Sequence, residues 1–213
     1  MRLPSIALAG FCALAVSGCT TIRVTSPQRS AQEELLISTA ADRAAEALAA
    51  QIPTNLSAYI DTSGFATQRR DEGIAGIDRD YALAAIDDAL LRRGVRLVHD
   101  REHADAVIVP RAGVLSTDER DILVGLPAFP APVPLAGTVS VPSLALYDNT
   151  KAKGIAKFAA SVYDPKTGKL IVSTDPAYGF SRESDGTVLF VFTWRHNDMG
   201  VNLNDDPPKV EKR

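Results

Sequence analysis

Cysteine is scarce in this sequence. The chain of 213 residues contains two, Cys12 and Cys19, and both lie close to its amino end. From residue 20 onward there is no thiol, which excludes disulfide bonds, a cysteine nucleophile and cysteine-based metal sites from that part of the chain. Blocks of Lys and Arg are missing too, and the formal net charge is −3. Nucleic-acid binding needs a basic footprint, so we exclude nucleic acid as a partner.

Motifs that carry known catalytic chemistry are also missing. The chain has no G-x-S-x-G, no H-E-x-x-H and no phosphate-binding glycine loop. His99 and His103 flank a polar turn and could both reach one metal ion. An oxygen ligand could come from the acidic residues beside them, Asp100, Glu102 and Asp105. The same pattern is typical of an exposed turn between strands, so we predict no metal, no cofactor and no catalytic residue.

Four other polar residues favour a structural explanation. Asp61 follows a predicted strand, where α/β folds often place functional groups, but an aspartate there also caps the next turn. Asp87 and Asp88 are adjacent in a predicted helix, where neighbouring side chains diverge, so they do not form an acid–base pair. His196, two residues after Trp194, is expected to pack at the last strand or decorate its edge.

The amino end has the three parts of a bacterial secretion signal. Arg2 is the positive residue, and residues 6–16 are uncharged and mostly apolar, too short for a spanning helix of roughly 20 residues. Two small residues then precede Cys19. Residues 16–19, V-S-G-C, resemble the lipobox of bacterial lipoproteins, with Val16 where Leu is more usual.

This resemblance implies that residues 1–18 are removed and that Cys19 carries the acyl chains. Three chains anchor a protein stably, because each buried CH₂ contributes about 0.8 kcal/mol. In proteobacterial sorting an Asp after the cysteine favours the inner membrane, so Thr20 implies the outer membrane. Without Arg2 the net charge becomes −4. We expect an outer-membrane, periplasm-facing lipoprotein whose residues 19–29 form a tether, with the lipid as its membrane contact.

The sequence pattern of residues 30–201 predicts a single α/β domain. A capping box, Ser30-x-x-Glu33, predicts a helix whose buried stripe contains Ile37, Ala41, Ala44 and Leu48 and which ends before Pro53. A strand is expected over residues 56–61, then a loop over residues 62–77.

A second helix is predicted over residues 79–93, with Asp78 as its N-cap, Gly94 at its end, and Leu83, Ile86 and Leu90 buried. Strands at residues 95–99 and 106–109 follow. The order helix–strand–helix–strand–strand indicates an α/β (α+β) fold, in which two helices pack on a mixed sheet.

Residues 122–147 form an uncharged, apolar segment interrupted by five prolines. Prolines disfavour both a continuous helix and a central strand, and residues 130–134 (P-A-P-V-P) predict extended polyproline II. An uncharged extended stretch is costly to leave in water and useful for docking. We therefore predict partner docking at Phe129, Pro130, Pro132 and Pro134; the alternative is a loop that covers the domain's own sheet.

The carboxyl-terminal part predicts more β-structure. Residues 155–163 and 169–173 form a hairpin around the turn at residues 164–168, and residues 188–193 form a final strand rich in β-formers. The polar residues 202–213 are expected to be a disordered tail.

Several segments resemble a family of small, uncharacterised proteobacterial lipoproteins: residues 26–42, 89–98, 125–137 and 154–157. That family has no assigned activity and carries over no functional residue. The order of elements also resembles, more distantly, the periplasmic α/β domains of the curli-secretion lipoprotein and of penicillin-binding-protein activator lipoproteins. Those likenesses imply an assembly or regulatory role.

Three functions are therefore considered. The first is a lipid-anchored module that binds an envelope protein and assists assembly, secretion or regulation. The second is an oligomeric secretion or pore component, in which residues 122–147 or the aromatic strand with Phe190, Phe192 and Trp194 meet the bilayer. The third is an unrecognised envelope hydrolase. Neither the partner nor the oligomeric state follows from the sequence.

Overall fold

The computed structural model describes residues 29–65, 74–126, 129–133, 137–141, 144–189 and 191–201. The chain divides into two units, residues 1–30 and residues 31–213. Only Arg29 and Ser30 of the first unit are described, and every element below belongs to the second. The predicted signal peptide, Cys19, almost all of the tether, Pro134 and the predicted tail lie outside the described residues.

The second unit is a mixed α/β fold, as predicted. Its helices are α1 (Ala31–Ala49) and α2 (Ile74–Arg92). Its strands are β1 (Ser57–Ile60), β2 (Arg96–Leu97), β3 (Ala106–Leu126), β4 (Phe129–Val133), β5 (Gly137–Val141), β6 (Leu144–Tyr163), β7 (Leu170–Ser173), β8 (Ala177–Val188) and β9 (Phe192–Asn197).

The strands form one large sheet and one small one. The large sheet has the order β2-β1-β3-β6-β8-β9, and β7 pairs with part of β6. β1 runs parallel to β2 and β3, and the remaining pairs are antiparallel. The small sheet is the hairpin β4–β5.

Helix α1 lies very close to the sheet. It begins directly after Ser30, as the capping box predicts, and its predicted stripe is buried. At Gly179 of β8, an added Cβ would lie 1.9 Å from the carbonyl oxygen of Ala40. Nearby, the Ser181 hydroxyl donates a hydrogen bond to the Leu36 carbonyl at 2.6 Å. Small side chains on both surfaces therefore let the helix backbone approach the strand backbone.

The predicted start of α2 is wrong. The helix begins at Ile74, five residues before the predicted start, so Asp78 lies inside it and is not its N-cap. Gly76 favoured a loop interpretation, but a glycine costs only about 1 kcal/mol in a helix. The predicted end is confirmed: Gly94 has φ +91°, and the Val95 N–H donates to the Leu90 carbonyl at 3.1 Å. These are the features of a Schellman cap.

The two strands that follow α2 differ in length from the prediction. The first is only Arg96–Leu97, shorter than the predicted residues 95–99. The second, β3, runs for 21 residues from Ala106 to Leu126, where four residues were expected. Its extension pairs with β6 along nearly its whole length. Pairing with the distant strand β6 therefore stabilises a strand in a segment whose sequence does not alternate apolar and polar residues.

The prediction of polyproline II for residues 130–134 is wrong for its described part. Phe129–Val133 is strand β4, which pairs with β5 so that Pro130 lies opposite Ser140 and Pro132 opposite Thr138. Successive residues of a strand direct their N–H positions to opposite edges, so Pro130 and Pro132 share one edge. Two prolines that share the edge facing away from β5 remove no donor from a two-stranded ladder.

The carboxyl-terminal strands were predicted only in part. The hairpin of β6 and β7 is confirmed, and its turn is held by Asp164, whose Oδ1 accepts the Lys166 N–H at 2.8 Å. The single strand predicted over residues 188–193 is wrong. Val188 ends β8, and Leu189 turns the chain with φ +50° before β9 begins at Phe192.

Candidate functional site: the two faces of an exposed sheet arm

The large sheet continues beyond the helix that covers it. Gln32 and Leu35, near the start of α1, line a small cleft with Glu183 of β8, so the helix begins at that level of the sheet. We call the part beyond this level the arm: residues 118–126 of β3, 144–153 of β6, 182–188 of β8, and β9. Nine residues of β3 at about 3.4 Å each give the arm a length of roughly 30 Å.

The arm has two distinct faces because side chains alternate along each strand. Even-numbered residues of β6 face the helices, and those between Ala156 and Val162 are fully buried. We call this side the inner face. Odd-numbered residues of β6 lie on the outer face, where no helix of the described chain packs.

The end of the outer face is apolar and exposed. The strand register aligns two rows across the four strands, Val124–Tyr147–Val188–Phe192 and Ile122–Asn149–Gly186–Trp194. Phe192 is 68 % exposed and Val124 55 %. The Trp194 ring lies over Gly186 and has its centroid 6.4 Å from that of Tyr147. Asn149 and Gly186 are buried in the second row, whereas the large apolar side chains of Ile122, Val124, Phe192 and Trp194 are exposed.

The next two rows of the outer face are basic. The register aligns Arg120–Lys151–Ser184–His196 and then Asp118–Lys153–Arg182. Together with Asp198 these side chains line a shallow depression of about 550 Å³. Within the described residues none of the cations Lys151, Lys153 and Arg182 forms an ion pair. Arg120 has one weak contact, 4.0 Å from the Asp118 carboxylate.

Aromatic residues extend the basic rows toward the centre of the sheet. Tyr178 and Phe180 stack with their centroids 6.2 Å apart. Lys153 Nζ lies 4.4 Å from the Phe180 centroid, and Lys157 Nζ lies 5.5 Å from the Tyr178 centroid. These cation–π contacts hold the ammonium groups at the surface without neutralising their charge.

The inner face of the arm has the opposite charge. It carries five carboxylates and one cation, Arg195, whose Nε donates to Asp185 Oδ1 at 2.7 Å and lies 3.8 Å from the Glu183 carboxylate. The hydrogen bond with Asp185 raises the pKa of Arg195. The five acidic residues, assigned by register, are Glu119, Asp121, Asp148, Glu183 and Asp185. The outer face of the arm is therefore basic in its middle rows, and the inner face is acidic.

The described docking residues from the sequence lie on the small hairpin that continues the chain from β3. Phe129 is 45 % exposed, and Pro130 and Pro132 are exposed as well. Val139 on the partner strand is 46 % exposed. Pro134 lies outside the described residues.

The histidine turn has the architecture of an ordinary capped turn. Residues 101–103 form one turn of 3₁₀ helix, and Asp100 accepts the Glu102 N–H at 2.9 Å and lies 2.8 Å from His103 Nδ1. The hydrogen bond from Glu102 lowers the pKa of Asp100. Within the described residues no group of three or more His, Asp or Glu side chains could hold a metal ion.

The predicted cap at Asp61 is confirmed. Its Oδ1 accepts the Ser63 N–H at 3.0 Å. Hydrogen bonding by the Ser63 side chain, and then by this N–H, lowers the pKa of the Asp61 carboxyl. Asp87 and Asp88 diverge as predicted: Asp88 pairs with Arg92, whereas Asp87 Oδ1 is buried without a hydrogen-bond partner. Burial raises the pKa of Asp87.

The basic rows were missed from the sequence, although a signal for them exists. Lys151, Lys153 and Lys157 are spaced by two and four, the spacing of one face of a strand. His196 was expected at a strand edge and lies in the third row, beside Ser184. No helix in the described part of the chain has the length and apolar character needed to cross a membrane.

The geometry defines an α/β protein with a projecting, two-faced sheet arm. The chain belongs to a family of unknown function, DUF6655, whose model matches residues 13–190. A comparison with curated proteins finds no match.

Proposed function

We propose that this protein is a lipid-anchored envelope protein, attached to the outer membrane through Cys19, that acts in the periplasm as an interaction, assembly or regulatory module. The observation that supports the interaction role most strongly is the exposure of uncharged residues at the end of the arm. Ile122, Val124 and Phe129 are each at least 45 % exposed within a stretch of 26 uncharged residues. Exposed apolar patches of this kind mark interaction sites.

The β4–β5 hairpin is the element that we assign to partner docking. Its backbone is paired from Phe129 to Val133, so its extended shape exists before a partner arrives. A preorganised surface loses little chain entropy on association. Phe129 is the largest exposed side chain of the hairpin, and aromatic anchors dominate the energy of many protein interfaces.

The docking role is tested with Phe129→Ser in the full chain. We expect crosslinking to an envelope protein in intact cells to fall while the free energy of unfolding changes by less than about 1 kcal/mol, as for a surface residue. Phe65→Ser is the matched control, because Phe65 is fully buried against Phe158 at a centroid distance of 5.6 Å. That control should lose both stability and crosslinking. If Phe129→Ser also loses both together, the hairpin is architecture and not a docking site.

The anchor is tested separately with Cys19→Ala. We expect this variant to lose acyl-chain labelling and to leave an uncleaved or released protein. A mature chain that begins before Cys19, or that carries no acyl mass, would contradict the lipoprotein assignment.

The oligomeric secretion or pore component remains the second candidate, and one observation favours it. Beyond Ile108, the edge of β3 that faces away from β6 pairs with no strand of the described chain. The edge of β9 that faces away from β8 is also without a partner strand in the described chain. Unpaired strand edges can add a strand from another molecule. The mass of the crosslinked product separates the two functions, because self-association gives multiples of the chain's own mass.

A further inference from the structure

We propose that the outer face of the arm binds the surface of a membrane that contains anionic phospholipids. The proposal rests on the envelope location proposed above but not on docking by the β4–β5 hairpin. It assigns the phosphate headgroups to the basic rows and the boundary with the acyl chains to the apolar rows.

The charges of the arm favour an anionic surface on one side only. The outer face presents Arg120, Lys151, Lys153 and Arg182. Its nearby carboxylates are Asp118 and Asp198, and the latter is paired with Arg43 of α1 at 3.2 Å. The inner face is acidic. Each Lys or Arg near an anionic leaflet contributes about 1 kcal/mol, so the field of such a leaflet would attract the outer face and repel the inner one.

The spacing of the rows fits the depth of a membrane interface. Successive rows are two residues apart, or about 7 Å along a strand. With the arm tilted so that its end and its outer face both turn toward the membrane, the Arg120–Lys151 row therefore lies up to about 7 Å farther from the bilayer centre than the Ile122–Trp194 row. Interfacial protein segments bury their apolar face by about 5–10 Å while their cations remain at the headgroups. Trp and Tyr side chains, such as Trp194 and Tyr147, are enriched at this depth.

Other anionic partners explain only part of the surface. A soluble acidic polymer would account for the basic rows but not for the exposed Phe192 and Trp194 beyond them. The acidic inner face of a second copy is also complementary in charge to the outer face, so self-association is treated as an outcome of the test.

Trp194 makes the test direct because it is the only tryptophan of the chain. The buried apolar residues of the described chain lie between Leu36 and Ala177. A chain that begins at Thr20 therefore keeps this core and lacks only the signal and the lipidated residue. Its binding to vesicles reports on the arm and not on acyl chains, and a cooperative thermal transition establishes first that it is folded.

Trp194 emission is measured as this chain is titrated with two kinds of vesicle, phosphatidylcholine alone and an equal mixture of phosphatidylcholine and phosphatidylglycerol. We expect a shift to shorter wavelength with the mixed vesicles only, and its loss at about 1 M salt, where the Debye length is about 3 Å. The variant Lys151→Glu/Lys153→Glu should bind the mixed vesicles at least about 30-fold more weakly. The control Arg93→Glu/Arg96→Glu makes the same change of net charge at exposed sites elsewhere and should bind normally.

Three results would overturn the proposal. One is the absence of any spectral shift with mixed vesicles, and another is equal weakening by the two double variants. The third is a shift that appears without vesicles, rises with protein concentration and accompanies a doubled mass in light scattering, which would assign the face to a second copy. Each of these leaves the Phe129 crosslinking test unaffected, so failure here is distinguishable from failure of the proposed function.

Discussion

Replacing Gly179 with alanine tests how closely α1 packs on the sheet. The new Cβ would lie 1.9 Å from the Ala40 carbonyl oxygen and 2.5 Å from the Ala44 nitrogen. Both contacts are with helix backbone, which cannot rotate away as a flexible side chain can. The helix must therefore move by more than 1 Å, and the nearby hydrogen bond from Ser181 to Leu36 moves with it.

The expected loss follows from two opposing effects. Overpacking a well-filled interior costs typically about 1–3 kcal/mol, and a contact this short belongs at the upper end of that range. Replacing glycine by alanine also stiffens the unfolded chain, which stabilises the fold by about 0.4–1 kcal/mol. We therefore expect Gly179→Ala to lower the free energy of unfolding by about 2 kcal/mol.

Urea unfolding followed by far-UV circular dichroism measures this loss by linear extrapolation. Gly76→Ala is the matched control, because Gly76 lies in α2 and an added Cβ would have no atom within 4 Å. Its expected effect is neutral or stabilising by up to about 1 kcal/mol. A Gly179→Ala variant within about half a kcal/mol of the parent would show that α1 does not lie on β8 at this position.

Three further predictions concern the same domain. Leu90→Ala should cost about 2–5 kcal/mol, because Leu90 is fully buried in the core; a cost below about 0.5 kcal/mol would place it on the surface. Asp87→Asn should match the parent near pH 3 and exceed it by less than about 1 kcal/mol at pH 7, since burial raises the pKa of Asp87 and the parent loses stability as pH rises through that pKa. Unfolding curves at several pH values check this, and a parent that gains on the variant as pH rises would contradict it. Chelating agents should leave the melting temperature unchanged; stabilisation by zinc that disappears in His103→Ala would restore the metal-site hypothesis.

The two helices could be predicted from the sequence because their signals are local. The alanine-rich stripe of α1 and the glycine after α2 each act through neighbours a few residues away, and burial of Ile37 and the positive φ of Gly94 confirm them. The start of α2 was missed for the same reason. Gly76 weakens the local helix signal at this end, although the helix includes it.

Strand β8 was not predicted because its buried positions carry small or polar side chains and no large apolar ones. Ala177, Gly179, Ser181 and Glu183 face α1 or lie at its start, where small side chains permit close packing. A search for alternating large hydrophobic residues finds nothing at these positions. The information lies in the partner surface, since α1 is itself rich in alanine and requires a sheet without bulky side chains.

The candidate site was predicted in part. The exposed segment containing Phe129 and Pro130 was identified from its lack of charge, although its backbone conformation was wrong. The basic rows were not found because their members lie on three strands whose register no local pattern reveals. Arg120, Lys151 and Arg182 become neighbours only when β3, β6 and β8 are aligned.

The unpaired edge of β3 links these surfaces. Strand edges without charge tend to pair with other chains, and charged side chains oppose such pairing. Residues 118–121 of this edge are all charged, whereas residues 122–126 carry no charge. Approach of another strand is therefore opposed along the basic rows and permitted at the end of the arm. Pairing with another protein strand is thus confined to the uncharged end that carries the β4–β5 hairpin. Because the membrane proposal places Ile122 and Val124 of this end at the boundary with the acyl chains, a strand that pairs there would compete with the membrane for these residues.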